Sequence, residues 1–271
     1  MASKDVFLVS GGYDGVIRCW DTSGGHAKKT LEYKDSQDAK TKYPVFSLDF
    51  SNDGHYLAAC SVKSFRIYET DSDKQAPKYV KQEAHKAAIN KIGFNYDAKW
   101  IYTAGNDKQC KIWDMRTAVC VHTVEARGMI NGCLLHPNQT EIVMVDESGF
   151  VRVWNISTGT FRLEMCPDDN TPLHCMTISP DGESLIACSK KGNVYIWKYS
   201  STAIQPRLKF HAHDEYVLSC KVSMTNKMLA TTSADRSIKL WDLDTMEVTK
   251  LIGHEVDMCG TRRSRATAKT W

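Results

Sequence analysis

The stretch WIYTAGNDKQCKIWDMR, residues 100–116, contains two short segments of alternating side chains, which a turn at Asn106-Asp107 separates. Alternation combined with β-branched and aromatic residues predicts β-strands and not a helix. Two further alternating segments flank this stretch, at 89–95 and 120–126. Together the four segments predict one compact unit of four antiparallel strands.

The aromatic residue that ends the third of these segments recurs along the chain at intervals of 41 to 48 residues. The recurring positions are Trp20, Tyr68, Trp113, Trp154, Trp197 and Trp241. An aspartate follows the aromatic residue at Asp21, Asp114 and Asp242. A period of about 40 to 45 residues that ends in Trp-Asp is typical of WD repeats, which form four-stranded propeller blades. The fold class is therefore predicted to be all-β, a WD-repeat β-propeller.

Six blades are predicted within a propeller domain of residues 1–255. Their expected bounds are about 6–33, 45–82, 89–126, 130–166, 173–211 and 217–254. The first blade offers only three strand segments and lacks its inner strand. Propellers normally leave no long open sheet edge, because the N-terminal and C-terminal segments of the chain contribute strands to the same blade. We therefore expect this ring not to be properly closed.

Residues 256–271 form a basic tail that does not alternate and resembles no repeat. Gly253-His254 occupies the place where an inner strand of another blade should begin. A basic localisation or nucleic-acid-binding tail and an unstructured end are two interpretations. We favour a third hypothesis, in which the reading frame changes after Glu255, because permitted codons in another frame spell an aromatic-rich strand.

A polar set repeats within three blades. An aspartate lies six residues before the tryptophan, and a serine or threonine lies four residues before that aspartate. In two of the blades, a histidine lies eighteen residues before the threonine. The members are Ser10, Asp14 and Trp20; His85, Thr103, Asp107 and Trp113; and His213, Thr231, Asp235 and Trp241. Histidine, hydroxyl and carboxylate could form a hydrolase triad, but catalysis needs one such set and not several. We interpret the set as a buried structural relay that satisfies polar groups away from water. The second, fourth and fifth blades lack the set and are expected to be held mainly by packing.

Composition excludes several classes of function. The formal net charge is +3 and is scattered along the chain, which does not indicate nucleic-acid binding. No apolar segment is long enough to span a membrane. The ten cysteines show no metal-ligand spacing, and they are interpreted as reduced residues, mostly buried, in a cytosolic protein. SGGYDG (10–15) lacks the lysine of a phosphate-binding loop, and His211 with His213 lacks a third ligand. No metal, cofactor, small-molecule substrate or catalytic residue is therefore predicted.

Loops on one face of a rigid propeller are the expected site of partner binding. Aromatic and arginine side chains contribute most often to such interfaces, which favours Tyr13, Tyr216 and Arg236. Further candidates on the same loops are Lys63, Asn106, Asp146, Glu147 and Lys190. The alternative for each residue is a solvated polar rim.

Several stretches resemble one family of WD-repeat proteins. They are LVSGGYDGVIRCW (8–20), WIYTAGNDKQCKIWDMR (100–116), CLLHPNQTEIVMVDESGFVRVWNI (133–156) and HDEYVLSCKVSMTNKMLATTSADRSIKLW (213–241). LHPNQ with the short DESG turn is the most particular of these motifs. They resemble the seven-bladed G-beta-like subunit of target-of-rapamycin kinase complexes, the lethal-with-sec-thirteen-eight family. The likeness runs from about Val6 to His254, so this chain departs from the family in lacking a seventh blade and the ring-closing strand.

The resemblance implies a non-enzymatic scaffold subunit in nutrient and growth signalling. Such subunits bind the kinase domain of target-of-rapamycin and stabilise its active cleft, beside large helical-repeat scaffold subunits. It also implies a cytoplasmic protein that reaches membranes through its complex. The alternatives are a WD-repeat adaptor of another assembly, such as a ubiquitin ligase or a membrane-traffic complex, and a fragment that does not fold stably.

Overall fold

Twenty-three β-strands form six antiparallel sheets. The structure is a computed structural model that describes residues 7–21, 24–34, 43–72 and 75–251. These residues include no helix, and so none that is long and apolar enough to cross a membrane. The predicted all-β, WD-repeat propeller class is confirmed.

The strands follow one another along the chain in the order of the sheets. They are β1 (Phe7–Gly11), β2 (Val16–Asp21), β3 (Ala27–Glu32), β4 (Ser47–Phe50), β5 (Tyr56–Cys60), β6 (Phe65–Glu69), β7 (Tyr79–Lys81), β8 (Ile89–Phe94), β9 (Trp100–Gly105), β10 (Gln109–Asp114), β11 (Cys120–Glu125), β12 (Ile130–Leu135), β13 (Glu141–Asp146), β14 (Val151–Asn155), β15 (Thr160–Met165), β16 (Leu173–Ile178), β17 (Ser184–Ser189), β18 (Asn193–Tyr199), β19 (Ile204–His211), β20 (Val217–Val222), β21 (Met228–Ser233), β22 (Ile238–Asp242) and β23 (Val248–Leu251).

Blade 1 consists of β1, β2 and β3, and blades 2 to 6 each contain four consecutive strands. The inner strands β4, β8, β12, β16 and β20 lie side by side around the centre. Burial is greatest in the middle strands of a blade and falls towards its outer edge. All six residues of β13 are buried, whereas β19 is mostly exposed and carries Arg207 and Lys209. Charged residues on an outer strand protect an open sheet edge from pairing with another chain.

The repeating aromatic residue closes the core between its own blade and the preceding one. Trp113 of blade 3 packs edge-on against Phe65 of blade 2, with ring centroids 5.4 Å apart. A β-bulge falls at Trp113, and equivalent bulges fall at Trp20, Trp154 and Trp197. A bulge twists the strand locally and re-aims a side chain, so this irregularity accompanies the insertion of the indole between blades.

Five clusters of buried apolar side chains each join two consecutive blades, from blade 1 with blade 2 to blade 5 with blade 6. Over the described ranges, β1 is the edge strand of its sheet and no strand pairs with its inner side. Gly253-His254 and the basic tail 256–271, with the hypothesised change of frame after Glu255, lie outside the described residues. The expectation that the ring is not properly closed stays a prediction.

Candidate functional site

The loops that leave the second strand of a blade and those that enter the next inner strand share one face of the propeller, here called the upper face. It consists of residues 12–15, 61–64, 106–108, 147–150, 190–192 and 234–237 together with 43–46, 82–88, 126–129, 166–172 and 212–216. Backbone hydrogen bonds join the two kinds of loop. The amide of Ala126 donates to Lys108 O at 2.7 Å, Glu147 to Met129 O at 2.9 Å, and Lys190 to Pro172 O at 3.0 Å. The upper face is therefore fixed by main-chain geometry.

Five of the predicted contact residues are exposed on this face. Tyr13 is 85% exposed and Tyr216 is 44% exposed, and Lys63, Lys190 and Arg236 are also exposed. The Tyr13 ring stands edge-on to Phe46, with centroids 6.0 Å apart. The Tyr216 ring stands edge-on to His174, with centroids 6.1 Å apart. Both tyrosines thus combine an accessible ring with a neighbouring ring that limits its movement, which lowers the entropy that binding would cost. These five side chains are part of the surface that the upper face offers to a partner.

Asn106 belongs to a bridge between blades 3 and 4. The side-chain amide of Asn90, in inner strand β8, donates to Asn106 Oδ1 at 2.7 Å. The same amide donates to the carbonyl of Ile130, the first residue of the next inner strand, at 2.8 Å. Asn106 therefore orients a bridging side chain in addition to lining the surface.

Glu147 and Lys190 belong to the equivalent bridge one blade further on. Asn131 donates to Glu147 at 2.8 Å and to the carbonyl of Leu173 at 2.8 Å. Lys190 Nζ lies 2.7 Å from Glu147 Oε1 and joins blade 5 to blade 4. Burial opposes ionisation of Glu147, but the hydrogen bonds from Lys190 and Asn131 outweigh it and hold its pKa below the usual value. A signal for both bridges is visible in the sequence, since an asparagine follows the first apolar residue in Ile89-Asn90 and Ile130-Asn131.

Asp146 is not available to a partner, and its prediction as a contact residue is corrected. It is 1% exposed, and its carboxylate accepts the amides of Ser148 at 3.0 Å and Phe150 at 3.1 Å. The guanidinium of Arg152 lies 3.9 Å away. Aspartate in a turn commonly accepts the following amides, and here that local bonding fixes the turn and removes the carboxylate from the surface.

In blade 3, the polar set forms a continuous chain of hydrogen bonds. His85 Nδ1 lies 2.9 Å from Asp107 Oδ1, and its Nε2 lies 2.7 Å from Thr103 Oγ1. The indole of Trp113 donates to Thr103 Oγ1 at 2.8 Å. Donation from indole to hydroxyl, hydroxyl to imidazole and imidazole to carboxylate satisfies every member. Thr103 is 0% exposed, so a substrate cannot reach its hydroxyl.

Blade 6 contains the same chain with one additional hydroxyl. His213 Nδ1 lies 2.8 Å from Asp235, its Nε2 lies 2.8 Å from Thr231, and Trp241 donates to Thr231 at 3.0 Å. Ser237 Oγ donates to Asp235 at 2.7 Å. Burial raises the pKa of Asp235, but the hydrogen bonds from Ser237 and His213 outweigh it and hold that pKa well below the usual value.

In blade 1, the prediction of a buried relay is wrong: Ser10 and Asp14 are exposed, and the predicted members form two separate contacts. Trp20 donates to Ser10 Oγ at 2.8 Å. Asp14 accepts the amide of Val16 at 3.1 Å and forms an ion pair with Arg18 at 2.6 Å. Asp14 thus shapes the turn between β1 and β2, on which Tyr13 is exposed.

Apolar packing joins blade 4 to blade 5, as expected, but a buried polar network that was not expected also joins them. The carboxylate of Glu141 accepts the hydroxyl of Tyr199 at 2.7 Å and the guanidinium of Arg162 at 2.5 Å. Burial opposes the charge of Glu141, but these hydrogen bonds hold its pKa below the usual value. His136 stacks on the Tyr199 ring at 4.4 Å. Sequence reasoning missed this network because Tyr199 and Glu141 lie on different blades.

A second feature that sequence spacing did not indicate is a buried cluster of three thiols. The Sγ atoms of Cys175, Cys188 and Cys220 all lie within 4.8 Å of one another. Hydrogen bonds from Cys175 and Cys188 hold the pKa of Cys220 well below its usual value, although burial opposes this. Among the described residues no disulfide is present, and six cysteines are buried.

The blades, the repeating aromatic residue and the relay define a WD-repeat β-propeller. Residues 1–156 match the β-propeller family described as "Nucleolar protein 10-like, N-terminal domain". Residues 163–198 and 204–242 match "WD domain, G-beta repeat". Both matches place the chain among propeller proteins.

The chain belongs to the LST8 family. It is 35% identical to the "Target of rapamycin complex subunit wat1" of Schizosaccharomyces pombe over 245 residues, which cover 89% of this chain and 76% of the relative. It is 33% identical to the "Target of rapamycin complex subunit LST8-1" of Arabidopsis thaliana, covering 94% of this chain and 83% of the relative. The mouse "Target of rapamycin complex subunit LST8" is 30% identical, with coverage of 89% and 74%.

A solved structure, "Crystal Structure of Mitotic Checkpoint Complex", contains a chain that superposes with a TM-score of 0.77. The match covers 88% of this chain and 74% of the other, at 19% sequence identity. A likeness at that identity shows the propeller fold alone.

Proposed function

We propose that this chain is a non-catalytic scaffold subunit that binds the kinase domain of target-of-rapamycin and stabilises it, in nutrient and growth signalling. The observation that carries the proposal is that relatives named as target-of-rapamycin complex subunits match 89% to 94% of this chain. The other partners are the large scaffold subunits of the same complexes. The protein acts in the cytoplasm and reaches membranes through its complex.

The upper face supports a binding role. Tyr216 and Arg236 are exposed on neighbouring loops of blade 6, and the amide of Ala234 donates to Tyr216 O at 3.1 Å and thereby joins those loops. Restricted aromatic and arginine side chains are the types that contribute most to protein interfaces.

A scaffold role also agrees with the chemistry of the relay. A hydrolase needs its nucleophile next to bound substrate. Thr103 and Thr231, whose hydroxyls contact Nε2 of His85 and His213, are both 0% exposed, and Ser237, whose hydroxyl lies 3.1 Å from His213 Nδ1, is also buried. The polar sets therefore support the blades and leave partner recognition to the loops.

Co-purification tests the proposal. An affinity-tagged chain is expressed with the kinase domain of target-of-rapamycin, and binding is measured for Tyr216→Ala and Arg236→Ala. The matched controls are Tyr96→Ala and Arg116→Ala, since both residues are exposed on the turns of the opposite face. We expect each upper-face substitution to weaken binding more than about tenfold and each control less than about threefold. Recovery of ubiquitin-ligase or membrane-traffic subunits without the kinase would contradict the proposal.

A further inference from the structure

Cys175, Cys188 and Cys220 lie between blades 5 and 6 on three different strands, β16, β17 and β20. Cys175 and Cys188 are directly opposite each other in the register of β16 and β17. Cys220 approaches from the neighbouring blade, and its Sγ lies 3.7 Å from that of Cys175. The three side chains are 4%, 0% and 2% exposed. The cluster therefore exists only because two blades pack together.

The spacing of the sulfur atoms is that of a three-coordinate metal site. Metal–thiolate bonds are about 2.3 Å long, so three sulfurs around one ion at the corners of a triangle lie roughly 4 Å apart. The sulfurs here already lie within 4.8 Å of one another without an ion. Small side-chain rotations would bring them to bonding distance without moving a strand.

The donor set and its surroundings select a soft ion. Thiolate ligands favour Cu(I), zinc and iron–sulfur clusters. Structural zinc needs four ligands, and over the described ranges no further histidine, cysteine or carboxylate atom completes the group. Apolar side chains surround it, including Val217, Leu229 and Trp241. Apolar neighbours offer a coordinating water no hydrogen-bond partners, which favours an ion that is stable with three sulfur ligands.

We propose that Cys175, Cys188 and Cys220 bind one Cu(I) ion through their three sulfur atoms. Binding replaces thiol protons, which leave to solvent, and transfers no electron, so the metal must arrive already reduced. Because the ligands come from both blades, the ion would link blade 5 to blade 6 and raise the temperature of unfolding.

The chain contains an internal control. Cys110 and Cys133 lie 3.9 Å apart between blades 3 and 4, are also buried, and have no third thiol with them within the described part of the chain. If buried, closely spaced thiols were enough to retain Cu(I), both places would bind it. The proposal requires the third sulfur and predicts that only the triple cluster does.

The test uses the reduced, purified full-length chain under anaerobic conditions, titrated with Cu(I) in the presence of a competing Cu(I) chelator. We expect one Cu(I) per chain, and X-ray absorption of the wild-type protein should show three sulfur neighbours at about 2.3 Å. Cys188→Ser should weaken Cu(I) binding more than about tenfold, and Cys133→Ser should leave it unchanged.

The wild-type spectrum keeps the test decisive if Cys188→Ser folds poorly. No uptake by the reduced chain, only two sulfur neighbours, or an equal loss in Cys133→Ser would overturn the proposal. The proposal would also be overturned if Cys175 and Cys220 formed a disulfide and the chain, once reduced, took up no Cu(I).

Discussion

Thr103 Oγ1 lies 2.7 Å from His85 Nε2 although eighteen residues separate them in the chain. Thr103 lies in the second strand of blade 3, whereas His85 precedes the inner strand of the same blade. The hydroxyl also accepts the Trp113 indole at 2.8 Å. One buried oxygen therefore connects the upper face to the tryptophan that packs on blade 2.

Replacing Thr103 by valine should destabilise the chain more than the exchange of one hydroxyl for a methyl group suggests. Val keeps the shape but leaves the His85 ring and the Trp113 indole with one unmet hydrogen bond each. Leaving buried polar groups unsatisfied costs about 1 to 3 kcal/mol per group, so for the two groups we expect the free energy of unfolding to fall by about 2 to 6 kcal/mol. Urea unfolding followed by tryptophan fluorescence measures it.

The control is Thr123→Val, because Thr123 is exposed on outer strand β11. A surface substitution of this kind should change stability by less than about 0.5 kcal/mol. An equal effect of the two substitutions would mean that the relay has no special energetic role.

Stability should fall as the pH drops below about 6.5, the ordinary pKa of histidine. Burial lowers the pKa of His213, although its partner Asp235 opposes the shift. The unfolded chain then takes up a proton in a range where the folded chain does not. The free energy of unfolding is therefore fully present above pH 6.5 and decreases below it, by up to about 1.4 kcal/mol per pH unit.

Chemical denaturation at pH 7.5, 6.5, 6.0 and 5.5 measures that slope. It should be smaller in His213→Gln and unchanged in His26→Gln, which replaces an exposed histidine. His174 also has a lowered pKa, because of burial and the charges of Lys190 and Lys91, so part of the slope should persist in His213→Gln. Identical slopes in all three proteins would refute the assignment to His213.

The Glu141 network predicts a large effect from one carboxylate. In Glu141→Leu, the guanidinium of Arg162 and the hydroxyl of Tyr199 lose their acceptor inside the interface of blades 4 and 5. Breaking a buried ion pair by removing one partner costs about 3 to 5 kcal/mol. Arg162 keeps partial access to water, which places the expected loss near 3 kcal/mol. Thermal or urea unfolding gives the value.

Two further substitutions put that loss in proportion. Tyr199→Phe measures one hydrogen bond of the network, and Asp97→Ala is the control at the surface. Tyr199→Phe removes one hydrogen bond to Glu141 and should cost about 1 kcal/mol. Asp97→Ala removes a surface ion pair with Lys99 and should cost less than about 1 kcal/mol. Were Glu141→Leu no more harmful than Asp97→Ala, packing alone would hold these blades, as the sequence suggested.

The propeller could be predicted from the sequence because its signals are local and periodic. The recurring Trp and the set containing Thr103 and Asp107 lie at fixed short spacings, and the structure places Trp113 in the core and Asp107 beside His85. The contacts between blades carry no such signal. Cys175 and Cys220 are 45 residues apart, and Glu141 and Tyr199 are 58 apart. Their proximity depends on how one blade is rotated against the next, which residue spacing does not determine.

Gly192 lies where blade 5 contacts blade 6, and replacing it by alanine should be more damaging than replacing Gly159 by alanine. Its φ is +77°, and a Cβ atom there would lie 1.8 Å from the carbonyl oxygen of His213, a backbone atom that cannot yield without moving blade 6. Gly159 has a similar φ of +69° but no heavy atom within 4 Å of the Cβ position, so Gly159→Ala isolates the conformational cost. That cost is about 1 kcal/mol. For Gly192→Ala we expect a loss of at least about 3 kcal/mol, because the clash adds to the same backbone strain. Urea unfolding of both variants measures the difference, and equal losses would show that the loop at 212–216 can move away from Gly192.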